Sequence, residues 1–172
     1  EEGWHGNTLV LMGEELHNPA RPHENHLLIW GSGEELLPYT DRLQDAIDAA
    51  LHCGAMAVIA HPIEHSGAAA NEPEINWVDR GVTGLHGIEL WNYMSEFKSH
   101  VHTMLHGLVY AYAPALAIEG PYPETIRLWD DLLRSAKVYA FAGSDAHGQL
   151  YRLGPLRRAV LSYRYLFTAV NM

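Results

Sequence analysis

The hydrophobic and polar positions divide the chain into short apolar runs and longer amphipathic segments. Apolar runs of strand length cover residues 8–12, 26–30, 55–60, 87–91 and 138–142. Apolar residues recur every three or four positions, as on one face of a helix, in residues 41–52, 95–112 and 123–136. The segment 157–172 indicates one further strand followed by a helix. Because strands and helices alternate, the pattern predicts a protein of the α/β class.

Residues that begin or end helices support these boundaries. Gly54 follows the segment 41–52, and helices commonly end on glycine. Ser95 is suited to cap the next helix, and Pro123 stands in the first turn of the last one. No repeat, low-complexity stretch or linker interrupts the pattern, so we expect residues 1–172 to belong to a single domain.

The composition narrows the functional classes. The chain has 172 residues and a formal net charge of −10, which argues against broad contact with nucleic-acid phosphates. Its one cysteine, Cys53, excludes an internal disulfide and a cysteine-rich zinc site. No apolar run is long enough to cross a bilayer and no signal peptide is visible. We therefore expect no membrane partner and slightly favour the cytoplasm, and the sequence leaves the compartment and the oligomeric state open.

Histidine is unusually frequent, with 12 residues, and it is the commonest metal ligand in proteins. Several apolar runs lead into groups that can bind a metal: Glu15 follows residues 8–12, His61 follows residues 55–60, and Asp145 and His147 follow residues 138–142. In parallel α/β barrels the C-terminal strand ends form the active-site face, so we expect these groups to share one cluster. Imidazole and carboxylate ligands without thiolates suit zinc, manganese or iron.

Five short motifs make the comparison with a known family specific. They are Gly-Glu-Glu at 13–15, His-Leu-Leu-Ile-Trp-Gly at 26–31, Ala-His-Pro at 60–62, Gly-Ile-Glu-Leu-Trp-Asn at 87–92 and Gly-Ser-Asp-Ala-His-Gly at 143–148, with Gly154 beyond the last. In sequence and in order they resemble motifs of the polymerase and histidinol phosphatase (PHP) superfamily of metal-dependent hydrolases. Any one of them is weak evidence, and the resemblance rests on the set.

The resemblance implies a distorted (β/α)7 TIM-like barrel that binds two or three divalent metal ions (Zn, Mn or Fe). The ligands it implies are Glu15, His26, His61, Asp145 and His147. The function it implies is hydrolysis of a small phosphate ester by water that the metal activates. A branch of similar hydrolases acts on carbamates or other carboxylic esters, and that alternative stays open.

The chain departs from the family pattern at its beginning. The family opens with His-x-His and then Asp-His, and neither precedes the Gly-Glu-Glu motif here. The His-x-His at residues 100–102 lies in a predicted helix, where such a pair points in different directions. We therefore expect a barrel that is incomplete at the N-terminus. This leaves open whether the piece is active by itself or is a metal-binding barrel without catalysis. A polymerase accessory domain is disfavoured by the acidic charge.

Each candidate also has an ordinary structural explanation. Asp145 and His147 suit a turn that caps a helix, His61 suits a turn before proline, and Glu14 is an alternative to Glu15. His26 lies three positions after His23, and the ordinary explanation of His26 is a loop histidine without a role.

Three further residues are candidates for contact with the substrate. His65 follows His61 by four positions and is a candidate proton donor. Asn92 ends a strand beside the expected site, and Arg152 is a candidate clamp for an anionic group. The face of the strand that Glu89 occupies is not determined by the sequence.

Overall fold

The computed structural model describes residues 2–69, 72–145, 150–153 and 156–159. The strands in these residues are β1 (Gly3–His5), β2 (Thr8–Val10), β3 (Gly13–Leu16), β4 (Leu27–Trp30), β5 (Met56–Ile59), β6 (Gly87–Asn92), β7 (Tyr139–Gly143), β8 (Leu150–Leu153) and β9 (Leu156–Ala159). The α-helices are α1 (Leu43–His52), α2 (Tyr93–His100), α3 (Met104–Tyr112) and α4 (Pro123–Leu133). Short 3-10 turns cover Leu37–Tyr39 and Pro114–Leu116.

Strands β3 to β7 form one five-stranded mixed sheet in the order β3-β4-β5-β6-β7. Strand β4 is antiparallel to both β3 and β5, whereas β5, β6 and β7 are parallel to one another. Strands β1 and β2 form a separate antiparallel pair, as do β8 and β9. All of the strands in the large sheet except β4 therefore run in the same direction.

The expectation of a distorted (β/α)7 TIM-like barrel is wrong. In the residues described, the large sheet is open, with β3 and β7 at its edges, and β4 reverses the strand direction. A β/α barrel needs parallel strands joined by helical crossovers until the sheet closes. Helices lie between β6 and β7 and between β4 and β5, but β3 and β4 are antiparallel neighbours joined without one.

One face of the sheet carries the main hydrophobic core. Ile47 and Ala50 of α1 pack there against Ile29 and Ile59, all with 0% exposure, and Leu128 of α4 belongs to the same cluster. Burying side chains of this size is the main source of stability in such a layer. Helix α1 ends as predicted, because Gly54 takes a positive φ of 74° directly after it.

The predicted helix over residues 95–112 is two helices, α2 and α3, separated at residues 101–103. Asn92 caps α2 in place of the expected Ser95, since its side chain accepts a hydrogen bond from the Ser95 N–H. Thr103 caps α3 in the same way by accepting from the His106 N–H. His102 therefore lies in the break, so the prediction that one helix holds both residues of the His-x-His is wrong.

The other elements agree with the sequence pattern to different degrees. The predicted strands at residues 26–30, 55–60, 87–91 and 138–142 correspond to β4, β5, β6 and β7. The predicted strand at residues 8–12 corresponds to β2, which is exposed throughout, and β3, which carries Glu15, was not predicted. In the tail β9 is a strand, and the helix expected after it lies outside the described residues. None of the described helices is long and apolar enough to cross a membrane.

Candidate metal centre

Polar side chains gather at one end of the sheet, where the C-termini of β3, β5, β6 and β7 lie. Glu15 lies near the end of β3, His26 stands one residue before β4, and His61 follows β5 by two residues. The Ala60 N–H donates to the His26 carbonyl, which holds the two strand ends together. This open sheet thus brings polar side chains together at its C-terminal strand ends, the position where α/β sheets commonly bind ligands.

Glu15 points to the face of the sheet opposite the main core. It pairs with Leu28, whereas its neighbour Leu16 pairs with Leu27 and belongs to the core. Because side chains alternate along a strand, Glu15 and Leu16 occupy opposite faces. Glu14, the alternative candidate, accepts a hydrogen bond from the Leu36 N–H at 2.9 Å. The structure therefore brings Glu15, and not Glu14, to the histidines.

Two histidine rings converge on one oxygen of Glu15. Oε1 of Glu15 lies 2.6 Å from Nδ1 of His26 and 2.9 Å from Nε2 of His61. The three groups offer ligand atoms that all lie within 4.8 Å of one another. His26 and His61 are buried, and the Glu15 side chain is 30% exposed, so solvent reaches the cluster from the carboxylate side.

The other nitrogen of His26 sets the chemical state of its ring. Nε2 lies 3.0 Å from the Pro22 carbonyl, which only accepts hydrogen bonds, so Nε2 carries a proton. Nδ1 then faces Glu15 either with a second proton or with a lone pair. A lone pair beside a carboxylate is favourable when a cation lies between them. A ligand histidine that donates its other N–H to a carbonyl is the usual arrangement in metal sites.

The electrostatic environment favours positive charge at the cluster. Burial disfavours ionisation of Glu15, but hydrogen bonds and charge from His26 and His61 outweigh it and hold the pKa of Glu15 well below its usual range. Burial also disfavours a charged His61. The hydrogen bond with Glu15 and the negative charges of Asp145, Glu15 and Glu64 outweigh it, and the pKa of His61 rises to about 8. A protonated imidazole and a bound metal ion are the two ways to supply this positive charge.

Among the residues that the structure describes, three other than glycine have positive φ angles, and these three lie at or beside the cluster. They are Asn25 at 56°, His61 at 23° and Asp145 at 50°. Such angles cost about 1–3 kcal/mol each and occur preferentially at functional sites. At Asn25 the conformation is held by its side chain, whose Oδ1 accepts from the Val78 and Asp79 N–H groups.

The remaining predicted ligands have different outcomes. Asp145 follows β7 by two residues, and its charge contributes to the shifts in pKa of both His61 and Glu89, so it belongs to the same end of the sheet. His147 lies outside the described residues. The structure therefore brings Glu15, His26 and His61 into contact, places Asp145 near them and leaves His147 a prediction.

The predicted substrate residues also remain predictions. Asn92 is buried and engaged internally, since its Oδ1 accepts from Ser95 and its amide donates to Glu89. His65 is exposed and meets the ring of Tyr122 edge-on, with 4.9 Å between ring centroids. Arg152 lies in β8, and its side chain is outside the described part of the structure.

Sequence reasoning missed one residue of this site, His17, and left the face of another, Glu89, undecided. His17 stacks on His26 with 4.7 Å between ring centroids, and its position two residues after Glu15 in an extended segment was the available signal. Glu89 is a buried carboxylate on the same face of the sheet as Glu15, because its neighbour Ile88 belongs to the main core. A charged residue between apolar neighbours in a strand was the signal for Glu89.

No protein-family model matches the sequence, no curated protein matches it significantly, and neither does any solved structure.

Proposed function

We propose that this protein is a metal-dependent hydrolase whose divalent ion is held by Glu15, His26 and His61. One observation carries the proposal: two buried imidazole nitrogens and a carboxylate oxygen lie within 4.8 Å of one another. Hydrogen bonding to Pro22 leaves the ring nitrogen of His26 that faces Glu15 able to bind a cation. The hydrolase part of the proposal rests on the order of the sequence motifs, which resemble those of the PHP superfamily.

The residues present fit a divalent ion chemically. Two imidazoles and one carboxylate without a thiolate suit zinc, manganese or iron, and three protein ligands leave room for water and substrate. The strong electrostatic preference for positive charge beside Glu15 supports the same conclusion. The negative charge of Asp145 acts on His61, and Asp145 and His147 are the two further ligands that the resemblance implies.

A bound divalent ion would act as a Lewis acid and lower the pKa of water toward neutrality. The protein groups have separate tasks in such a site. Glu15 offsets the charge of the ion, and the Pro22 carbonyl orients His26 through its Nε2–H. The exposed side of Glu15 is the side from which a substrate reaches the cluster.

The proposed substrate is a small phosphate ester, and a carbamate or other carboxylic ester is the alternative on the same centre. The test uses protein loaded with zinc or manganese and compares p-nitrophenyl phosphate, bis-p-nitrophenyl phosphate and an aryl carbamate. We expect metal-dependent hydrolysis of a phosphate ester that Glu15→Gln abolishes and Glu14→Gln retains. Turnover of the carbamate alone would favour the alternative. Metal binding without turnover of any of the three would contradict the hydrolase function and leave a metal-binding protein.

A further inference from the structure

The two histidines of the candidate metal centre are held in different ways. The ring of His26 has an anchor of its own, because Nε2 lies 3.0 Å from the Pro22 carbonyl. The ring of His61 has none in the described part of the chain, because its buried Nδ1 has no hydrogen-bond partner. Its other nitrogen, Nε2, hydrogen-bonds to Glu15, and coordination of an ion would replace that contact. Apart from its edge-on contact with the His26 ring, with 4.9 Å between ring centroids, the orientation of His61 is therefore set through its backbone.

The backbone of His61 is held by Glu89. The His61 N–H donates to Oε2 of Glu89 at 2.8 Å, in a buried environment. The same oxygen accepts from the side-chain amide of Asn92 at 3.0 Å. This contact offsets the cost of the unusual backbone angle of His61, whose φ is 23°.

The position of Glu89 depends in turn on Gly143 in the next strand. A Cβ at residue 143 would lie 1.6 Å from Oε1 of Glu89, so a side chain there would displace the carboxylate. Gly143 has no positive φ that would require glycine for conformational reasons. The absence of a side chain at residue 143 thus makes room for the carboxylate of Glu89. From β6 this carboxylate reaches the end of β7 at Gly143 and accepts a hydrogen bond from the His61 N–H.

We infer that Glu89 is a positioning residue that orients His61 toward the metal ion, as the Pro22 carbonyl orients His26. The inference rests on the proposed function, since it assumes that His61 is a ligand. Groups that orient metal ligands typically contribute about 10- to 100-fold to metal affinity. We expect an effect of that size from Glu89, although it touches neither the ion nor Glu15 in the described contacts.

The test measures the affinity for Zn²⁺ by competition with a chromophoric chelator and records the absorption spectrum of the Co²⁺ form. Glu89→Ala should weaken Zn²⁺ binding about 10- to 100-fold and alter the Co²⁺ spectrum. Glu89→Gln should restore affinity close to that of the wild type. A carbonyl oxygen at the position of Oε2 still accepts from both His61 and Asn92.

Glu96 provides the matched control. It is also a buried glutamate, but it accepts from Trp91 and from the N–H groups of Glu119 and Gly120, which are outside the cluster. Glu96→Ala should lower the stability of the fold and leave the Zn²⁺ affinity of the folded protein unchanged. A loss of affinity equal to that of Glu89→Ala would show a general effect of destabilisation and would overturn the inference.

Gly143→Ala is an independent variant that leaves Glu89 in place. It should weaken Zn²⁺ binding by displacing the carboxylate, and it should weaken binding much less in a Glu89→Ala background. Wild-type affinity in Glu89→Ala, or equal effects of Gly143→Ala in both backgrounds, would overturn the role of Glu89 while the metal centre stands. Failure of the wild-type protein to bind Zn²⁺ would overturn the metal centre as well.

Discussion

Nδ1 of His26 lies 2.6 Å from Oε1 of Glu15. The other nitrogen of that ring, Nε2, carries the proton that is donated to the Pro22 carbonyl. The contact between Nδ1 and Oε1 is a hydrogen bond when the ring is doubly protonated, and the same two atoms would be ligands of a bound cation. The same carboxylate oxygen meets Nε2 of His61 at 2.9 Å. Glu15 is therefore the residue on which the site depends most.

The first prediction concerns Glu15. Glu15→Gln should reduce the affinity for Zn²⁺ at least about 10-fold, since the amide cannot supply the negative charge that offsets the ion. Isothermal titration calorimetry on chelator-treated protein measures this change. Glu14→Gln is the control, because Glu14 contacts the Leu36 N–H, which an amide oxygen also satisfies. Equal affinities in the two variants would contradict the assignment of Glu15.

The second prediction is a pH dependence of the metal-free protein. The pKa of His61 is raised from 6.5 to about 8. The contribution of His61 to the free energy of unfolding is therefore complete below about pH 6.5 and is lost as the pH rises through 8. This contribution is about 2 kcal/mol. The pKa of Glu15 is lowered, so its contribution is present above its ordinary pKa of 4.5 and is lost as the pH falls.

The free energy of unfolding should therefore be greatest between about pH 4.5 and 6.5. Urea denaturation in chelator-containing buffers over a series of pH values measures this profile. His61→Ala should remove the loss on the alkaline side. A wild-type profile that stays level from pH 6 to 9 would show that His61 is not coupled to Glu15 as described.

The third prediction concerns a buried ion pair. Lys98 lies 2.9 Å from Glu64, and the exposed fractions of the two side chains are 12% and 1%. Lys98→Met should destabilise the protein by about 3 kcal/mol, because it leaves the carboxylate of Glu64 buried without a countercharge. Arg134→Met, which breaks an exposed pair with Asp131, should cost less than about 1 kcal/mol. Similar urea midpoints for the two variants would contradict this difference.

The fourth prediction concerns packing on the face of the sheet that carries Glu15. A Cβ at Gly87 would lie 2.3 Å from the ring of Phe141 and 2.9 Å from the Tyr139 carbonyl. Gly87→Ala should therefore destabilise the fold by about 1–3 kcal/mol. Gly81→Ala, where an added Cβ meets nothing within 4 Å, should leave stability nearly unchanged. Thermal unfolding separates the two, and an unchanged melting temperature for Gly87→Ala would contradict the close packing.

Local patterns predicted the central elements and two members of the cluster, Glu15 and His61, whereas His26 came from the resemblance to the PHP motifs. Strands β4 to β7 and helices α1 and α4 are short periodic segments with clear end signals, so the sequence alone indicates them. Glu15, His26 and His61 meet because the strand termini at one end of a sheet lie close together whether or not the sheet closes into a barrel.

The errors came from interactions between distant parts of the chain. The antiparallel direction of β4 depends on how it pairs with β3 and β5, which hydrophobic periodicity does not encode. The break between α2 and α3 has a similar cause. The carbonyls of Lys98 and Val101 accept from the N–H groups of Gly67 and Ala69, in competition with continuation of the helix.

The role of Glu89 was beyond sequence reasoning for the same reason. Its contacts are the His61 N–H, 28 positions earlier in the chain, and the space left by Gly143. Alternation along β6 limits Glu89 to one of two faces, and only the pairing of the strands determines which face carries the cluster.

Elemental mass spectrometry shows directly whether Glu15, His26 and His61 form one metal centre. Chelator-treated protein is dialysed against Zn²⁺ or Mn²⁺, and metal per chain is compared between the wild type and a folded His26→Ala/His61→Ala variant. We predict at least about one ion per chain in the wild type. The variant should lose the ion that Glu15, His26 and His61 hold. A wild-type protein without metal, or a variant that retains as much metal as the wild type, would contradict the account.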